Sequence, residues 1–216
     1  MAISAVSDKT IERLSLYRRA ILRKPPDWGD HIFSHQMAAV CGVSAAQVRR
    51  DLMAIGYTGS PQTGYELTEL YEAIGRFMDA PAPTRVAIVG VGHLGRAVIS
   101  FLINRRPSLV MAAAFDSDPS KTDRVQNGVP CYPIARLKEV VADLGIEIAI
   151  VAVPAGDAQR ICDLVVEAGI RGILNFAPAF LQLPKDVVVE RLDVTVALEK
   201  VAYLTRTGTR PKRKTR

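Results

Sequence analysis

The sequence predicts an α/β protein in two parts, a helical region followed by a region that alternates strands and helices. Three observations carry this. From about Thr10 to Met78, apolar residues recur at helical spacing between several turns. From Thr84 onward, short apolar runs rich in β-branched residues alternate with helical stretches, the pattern of a parallel sheet. Between the two lies Asp79-Ala80-Pro81-Ala82-Pro83, a short and fairly stiff linker. The expected division is residues 1–80, residues 84–193, a terminal helix over 194–208 and a basic tail over 209–216.

In the first region, Ile11, Leu14, Tyr17 and Leu22 share roughly one face of a helix over Thr10 to Leu22, which Pro25-Pro26 ends. A second helix is expected from Ser34, as its cap, to Cys41. Gly42 suits a tight turn and Ser44 suits an N-cap, so a third helix runs from Ala45 to about Ala54. Its apolar positions are Val48, Leu52 and Ile55, and its other face shows Ser44, Ala45, Gln47, Arg49 and Arg50. Two helices joined by a turn of three or four residues make a helix-turn-helix, whose second helix enters the DNA major groove. Gln pairs bidentately with adenine and Arg with guanine, so Gln47, Arg49 and Arg50 are candidate base readers. The turn-rich segment from Gly56 to Tyr65, with possible strands on either side, reads as a β-hairpin wing. These residues alone leave an ordinary small helical domain equally open.

In the second region, Arg85 to Val89 is a β-rich run leading into Gly90-Val91-Gly92-His93-Leu94-Gly95 and then a helical stretch, Arg96 to Asn104. This is G-x-G-x-x-G between strand and helix, the dinucleotide-binding setting. The first glycine allows the tight turn, the second a close approach of backbone to pyrophosphate, the third close helix–strand packing. A second strand, Leu109 to Phe115, ends at Asp116, twenty-one residues beyond Gly95. A carboxylate there accepts hydrogen bonds from ribose hydroxyls and repels a 2′-phosphate, which favours NAD(H) over its phosphorylated analogue. Helices over Ile134–Leu144 and Asp157–Ala168 and strands over Glu147–Val153, Gly172–Phe176 and Val187–Leu192 continue the alternation of a Rossmann domain. Ligands of such sheets lie at the carboxyl ends of strands, so Val153-Pro154 and Asn175-Phe176-Ala177-Pro178 are candidates for the nicotinamide end.

Thr195 to Thr205 is apolar on more than one face, and exchange with a second protomer would bury it. Residues 200–216 carry seven Lys/Arg and no acid, which accounts for the net charge of +6. The pI is therefore no argument for nucleic-acid binding. The tail after Thr207 reads as a solvated segment that can add phosphate contacts. With 216 residues, 49% hydrophobic and 23% charged, the chain is not disordered, collagen-like or a coiled-coil rod. No apolar run nears the ~20 residues of a membrane-spanning helix. Met1-Ala2-Ile3-Ser4 does not open a signal peptide, and a cytoplasmic protein is expected. Cys41, Cys131 and Cys162 are too scattered for a disulfide framework or zinc site, and no metal is expected. His31, His35 and His93 pair with no catalytic partner, so no catalytic residue is assigned. A small NAD-dependent oxidoreductase and a coenzyme A-binding regulatory module remain alternatives.

Several blocks carry a family resemblance. They are Arg13-Leu14-Ser15-Leu16-Tyr17-Arg18-Arg19, Val43 to Leu52, the glycine loop, Ala114-Phe115-Asp116, Val153-Pro154 and Gly169 to Pro178. Together they resemble the Rex family of bacterial redox-sensing transcriptional repressors. The resemblance implies a homodimer in which each chain has a winged-helix domain, a Rossmann domain and a swapped C-terminal helix. It implies binding to inverted-repeat operator DNA when NAD+ prevails and release when NADH binds, with no hydride transferred. Arg19 and Asp193 match a pair tied to the DNA-binding state. Phe101 stands where many members have a Tyr near the nicotinamide, and Val194 where some carry an aromatic. Gln62 and Tyr65, in the wing, are expected to face DNA, and Pro61-Gln62 there replaces an Arg-Gly that members often show.

Overall fold

The computed structural model describes residues 6–103 and 105–208. The chain forms two compact units: of the described residues, 6–79 together with 204–208 make the first and 80–203 the second.

The first unit opens with α1, Asp8–Arg23, capped by the Ser7 hydroxyl, which accepts the Thr10 N–H. Leu14 and Tyr17 on its inner face are fully buried. A two-residue strand, β1 (His31–Ile32), precedes α2 (Ser34–Cys41) and α3 (Ala45–Ala54). Gly42 ends α2 in the left-handed region, at φ +68°, and Ser44 caps α3 by accepting the Gln47 N–H. Then come β2 (Tyr65–Glu66) and α4 (Leu67–Met78), capped by the Glu66 carboxylate. Leu14, Tyr17, Trp28, Val48, Leu52 and Leu70 bring these helices onto one core.

Two expectations change here. Ser34 is the first residue of α2 rather than its cap: Phe33 stands at the cap, and its N–H donates to the Gln36 side-chain oxygen. The Ser34 hydroxyl instead accepts from Arg49. The Gly56–Tyr65 segment is not a hairpin between two local strands. It is a loop closed by the Ser60–Gly64 bridge, and β2 pairs antiparallel with the distant β1, Ile32 opposite Tyr65. Gly64 is required there, because at φ +78° any Cβ would collide with the Ile32 carbonyl.

The second unit is built on a seven-stranded sheet. In chain order it contains β3 (Thr84–Val89), α5 (His93–Leu102), β4 (Leu109–Asp116), β5 (Arg124–Gln126) and β6 (Val129–Pro133). A 3₁₀ turn over Ile134–Arg136, α6 (Leu137–Leu144), β7 (Ile148–Val151), α7 (Ala155–Glu167), β8 (Gly172–Asn175) and β9 (Val188–Arg191) follow. The strand order is β5-β6-β4-β3-β7-β8-β9. Every pairing is parallel except β5 with β6. The chain reverses its progress across the sheet at β3, which pairs with β4 on one side and β7 on the other. That reversal is where doubly wound sheets open a ligand crevice. Period-two alternation sorts β3 between two cores: Val86 and Ile88 pack with α5, Ala87 and Val89 with the α6–α7 side.

The β5–β6 hairpin is not among the expected strands. Its turn, Asn127-Gly128, has φ +49° and +85°, the two-residue form that Asn-Gly favours. Helix α5 begins at His93, three residues before its expected start, because the glycine motif itself supplies the first turn. Its expected end at Asn104 lies outside the described residues, as do Met1 to Ser4 and the tail over 209–216. The last helix, α8 (Val194–Thr207), buries none of its residues.

Candidate functional site

The three glycines of the loop differ in what they face. Gly90 has φ +96°, and a Cβ there would lie 2.5 Å from the Ala152 carbonyl oxygen. A Cβ on Gly95 would collide with the Gly90 carbonyl, so Gly95 is what lets α5 pack against the end of β3. Gly92 meets nothing within 4 Å. Its bare face opens on a cleft of about 320 Å³ lined by Gly90, Gly92, Asp116, Lys121, Val153 and Pro154, among others. Gly92 is also the N-cap of α5 and offers no side-chain acceptor. The first N–H groups of that helix are thus left for an external anion, which the helix dipole also favours.

Asp116 is 7% exposed at the end of β4. One carboxylate oxygen accepts the Val91 N–H at 2.8 Å and the other accepts the Asp118 N–H at 2.9 Å. It therefore ties the glycine loop to β4 while keeping further lone pairs able to accept. Lys121, which sequence reasoning missed, has its ammonium 3.3 Å from Asp116 and 3.5 Å from Asp118. Shared by two carboxylates, it leaves the trio net negative. Hydrogen bonds from Ser120 hold the Asp118 carboxyl below its ordinary range.

The other expected cofactor residues divide by burial. His93, Leu94 and Pro154 are exposed, and Val153 is half-buried on the cleft wall. Val91 is in the core and presents only its backbone. Phe115 corrects an expectation in the same way: its ring is fully buried against Tyr132, and only its carbonyl reaches the loop, accepting the Gly90 N–H. Asn175 and Ala177 are buried and bonded to each other, the Asn175 amide bracketing the Ala177 N–H and carbonyl. They shape the turn after β8 and carry half-buried Phe176. Phe101 is 59% exposed on α5, with the Arg105 guanidinium 4.1 Å from its ring centroid.

In the first unit, Arg49 and Arg50 are exposed on α3, and Gln62 is exposed in the loop, its N–H on the Ser60 hydroxyl. Ser44 is engaged as the helix cap, and Ala45 packs partly against the core. Tyr65 departs from the expected DNA-facing role: its side chain is 7% exposed, inside the core and tilted against Tyr57. The β1–β2 pairing turns it inward. Arg19 is exposed on α1, whereas its neighbour Arg18 is buried and donates from Nη1 to both carboxylate oxygens of Asp79, at 2.7–2.8 Å. Asp193 accepts the N–H groups of Thr195 and Val196 at the start of α8. Among the described residues, no cluster of His, Cys, Asp and Glu could hold a metal, and no helix is long and apolar enough to cross a membrane.

Together these features define a chain that couples a helix-turn-helix unit to a Rossmann-type nucleotide cradle. Residues 82–179 match the family described as "CoA binding domain", and residues 5–52 match "Putative DNA-binding protein N-terminus". The redox-sensing transcriptional repressor Rex of Brevibacillus brevis is 36% identical over 198 residues, covering 92% of this chain and 96% of that protein. The Rex of Streptococcus equi subsp. equi is 36% identical over 201 residues, covering 92% and 94%. Among solved structures, RSP, a Rex-family repressor, in complex with β-NAD+ and operator DNA aligns with a TM-score of 0.86 at 28% identity, covering 95% of this chain and 94% of that one. RSP in complex with β-NADH aligns at 0.81 and 27% identity, covering 95% and 96%. The chain belongs to the Rex family of redox-sensing transcriptional repressors, whose members are regulators and not enzymes.

Proposed function

We infer that this protein is a redox-sensing transcriptional repressor that binds inverted-repeat operator DNA as a homodimer and leaves it when NADH binds. The observation that carries the reading is the cradle of Gly90, Gly92, Gly95 and Asp116 in the same chain as the capped, Arg-bearing helix α3.

The residues present fit a dinucleotide. Gly92 leaves room for a pyrophosphate against the uncapped start of α5, and Asp116 stands where ribose hydroxyls need an acceptor. Coenzyme A carries a phosphate on its ribose, which the net negative trio of Asp116, Asp118 and Lys121 opposes. The bound group supplies a nicotinamide ring that is neutral when reduced and cationic when oxidised. Val153 gives the crevice an apolar wall, which disfavours an unpaired cation, and we assign half-buried Phe176, just past β8, to the same end of the ligand. A ligand shifts a two-state protein only by its differential affinity, and such couplings run to about 1–3 kcal/mol.

On the DNA side, Arg49 and Arg50 on α3 and Gln62 in the loop are the contacts we assign, with Ser44 holding the start of α3. Two copies are needed to read two half-sites, and the exposed apolar residues Val196, Leu198 and Val201 of α8 support pairing through that helix. Arg19 and Asp193 are the assigned switch pair. A repressor acts where the chromosome is, so we place the protein in the cytoplasm.

The test is fluorescence anisotropy on a duplex carrying an inverted repeat from the chain's own upstream region, with NAD+ and NADH titrated separately. Release by NADH but not by equal NAD+ is expected. Binding indifferent to both nucleotides would overturn the sensor reading.

A further inference from the structure

The amide of Gln47 is occupied at both ends. Its NH₂ donates to Asp51 at 2.8 Å, and its oxygen accepts from the Arg50 guanidinium at 2.8 Å. Chemistry fixes this orientation, since a carboxylate only accepts and a guanidinium only donates. Asp51 is 2% exposed and is held from α1: Arg13 donates to it twice, at 2.6 and 2.7 Å, and the Tyr17 hydroxyl donates at 2.8 Å. A chain of hydrogen bonds thus runs from α1 through Asp51 and Gln47 to Arg50 on the outer face of α3.

We propose that Arg50 is the base-reading side chain of α3, selecting a guanine, and that Gln47 is its positioning residue rather than a reader of adenine. This rests on the DNA-binding reading above and adds the division of labour within α3. Reading adenine needs both ends of the Gln47 amide free to meet N6 and N7. Here each end already has a partner, and freeing the NH₂ end would take one hydrogen bond from the buried Asp51 carboxylate. Arg50 gives one donor to Gln47 and keeps the rest of its fork for O6 and N7 of guanine. The contact also removes freedom from a long side chain before it meets DNA, so less is lost on binding. On this helix the arginine is aimed and the glutamine does the aiming.

The experiment measures binding of the full chain to its operator and to a panel of single base-pair variants at fixed salt. The proteins compared are wild type, Arg50→Ala, Gln47→Ala and the double variant. The readout is a ratio between duplexes, so a change in folded fraction cancels. Arg50→Ala should erase discrimination at one G·C pair in each half-site, roughly 10- to 100-fold. Gln47→Ala should weaken discrimination at that same pair by a smaller factor, and the double variant should match Arg50→Ala alone. Loss at a separate A·T pair, additive with the Arg50 effect, would overturn the proposal by making Gln47 a reader. A uniform loss across all duplexes would overturn it too, reducing Gln47 to a backbone or structural contact. If the wild type discriminates no base pair, the DNA-binding reading itself fails and this proposal with it.

Discussion

Replacing Gly92 by Ala separates ligand binding from folding. Gly92 sits at φ −76° and ψ −165°, extended backbone open to any residue, and a Cβ there meets nothing within 4 Å. Ala caps a helix less well than Gly by up to about 1 kcal/mol. Gly→Ala also restricts the unfolded chain, a gain of about 0.4–1 kcal/mol. The two nearly cancel, so the ligand-free melting temperature should hardly move. The new methyl group, however, stands where an anion must approach the α5 amides. Losing one hydrogen bond to a charged group costs about 1.5–3 kcal/mol, or roughly 10- to 100-fold in Kd. At a concentration of 100 times the wild-type Kd, NADH stabilises the wild type by about 2.7 kcal/mol. A 30-fold weaker variant gains only about 0.9 kcal/mol at that concentration. Calorimetric titration with NADH, paired with thermal unfolding with and without it, measures both quantities. An NADH Kd within about threefold of wild type, with ligand-free melting unchanged, would refute the placement of the anion over Gly92. Gly95→Ala is the contrasting control: its Cβ strikes the Gly90 carbonyl, so the ligand-free protein itself should melt lower.

Asp116→Ala removes the acceptor of the Val91 N–H and a partner of Lys121, and should weaken NADH binding at least tenfold by calorimetry; an unchanged affinity would put the ribose elsewhere. Ser44→Ala strips the cap from α3 and should lower stability by about 1 kcal/mol in urea unfolding followed at Trp28, the chain's one tryptophan, which lies in the same core. Burial would raise the Asp51 carboxyl, but hydrogen bonds from Arg13, Gln47 and Tyr17 and the Arg13 charge outweigh it and hold the group below its ordinary value of about 3.9. A depressed carboxyl stabilises fully above that value and loses its contribution as pH falls through it toward the folded pKa. Stability, read from unfolding followed at Trp28, should therefore fall below about pH 4, and Asp51→Asn should flatten that slope; equal slopes would refute the assignment. Leu198→Asp, on exposed α8, should leave the monomer fold intact and halve the mass measured by light scattering.

Much of the architecture was legible because it is written over short stretches. The bounds of α2 and α3 follow from Gly42, Ser44 and the spacing of Val48, Leu52 and Ile55, all settled within one or two helical turns. The glycine loop and the carboxylate ending β4 were equally readable, since the turn, the helix start and the strand end are steric matters of neighbouring residues. The β5–β6 hairpin had its own signal in Asn127-Gly128, which marks two positive-φ positions in sequence. No such signal announced Tyr65: a pairing with Ile32, thirty-three residues earlier, rotates it into the core.

The polar partnerships belong to the second kind. Asp51 meets Arg13 across 38 residues, and Arg18 meets Asp79 across 61. Gln47 and Arg50 looked equivalent on a helix face until that buried carboxylate claimed one end of the glutamine. The sequence by itself determined which segments become helix and strand, where the chain turns, and that a dinucleotide loop follows β3, because caps, glycines and apolar period act through local sterics. Only the tertiary structure decided which polar groups are free to meet a ligand or a base, because that depends on which distant donor or acceptor packing brings within about 3 Å of them.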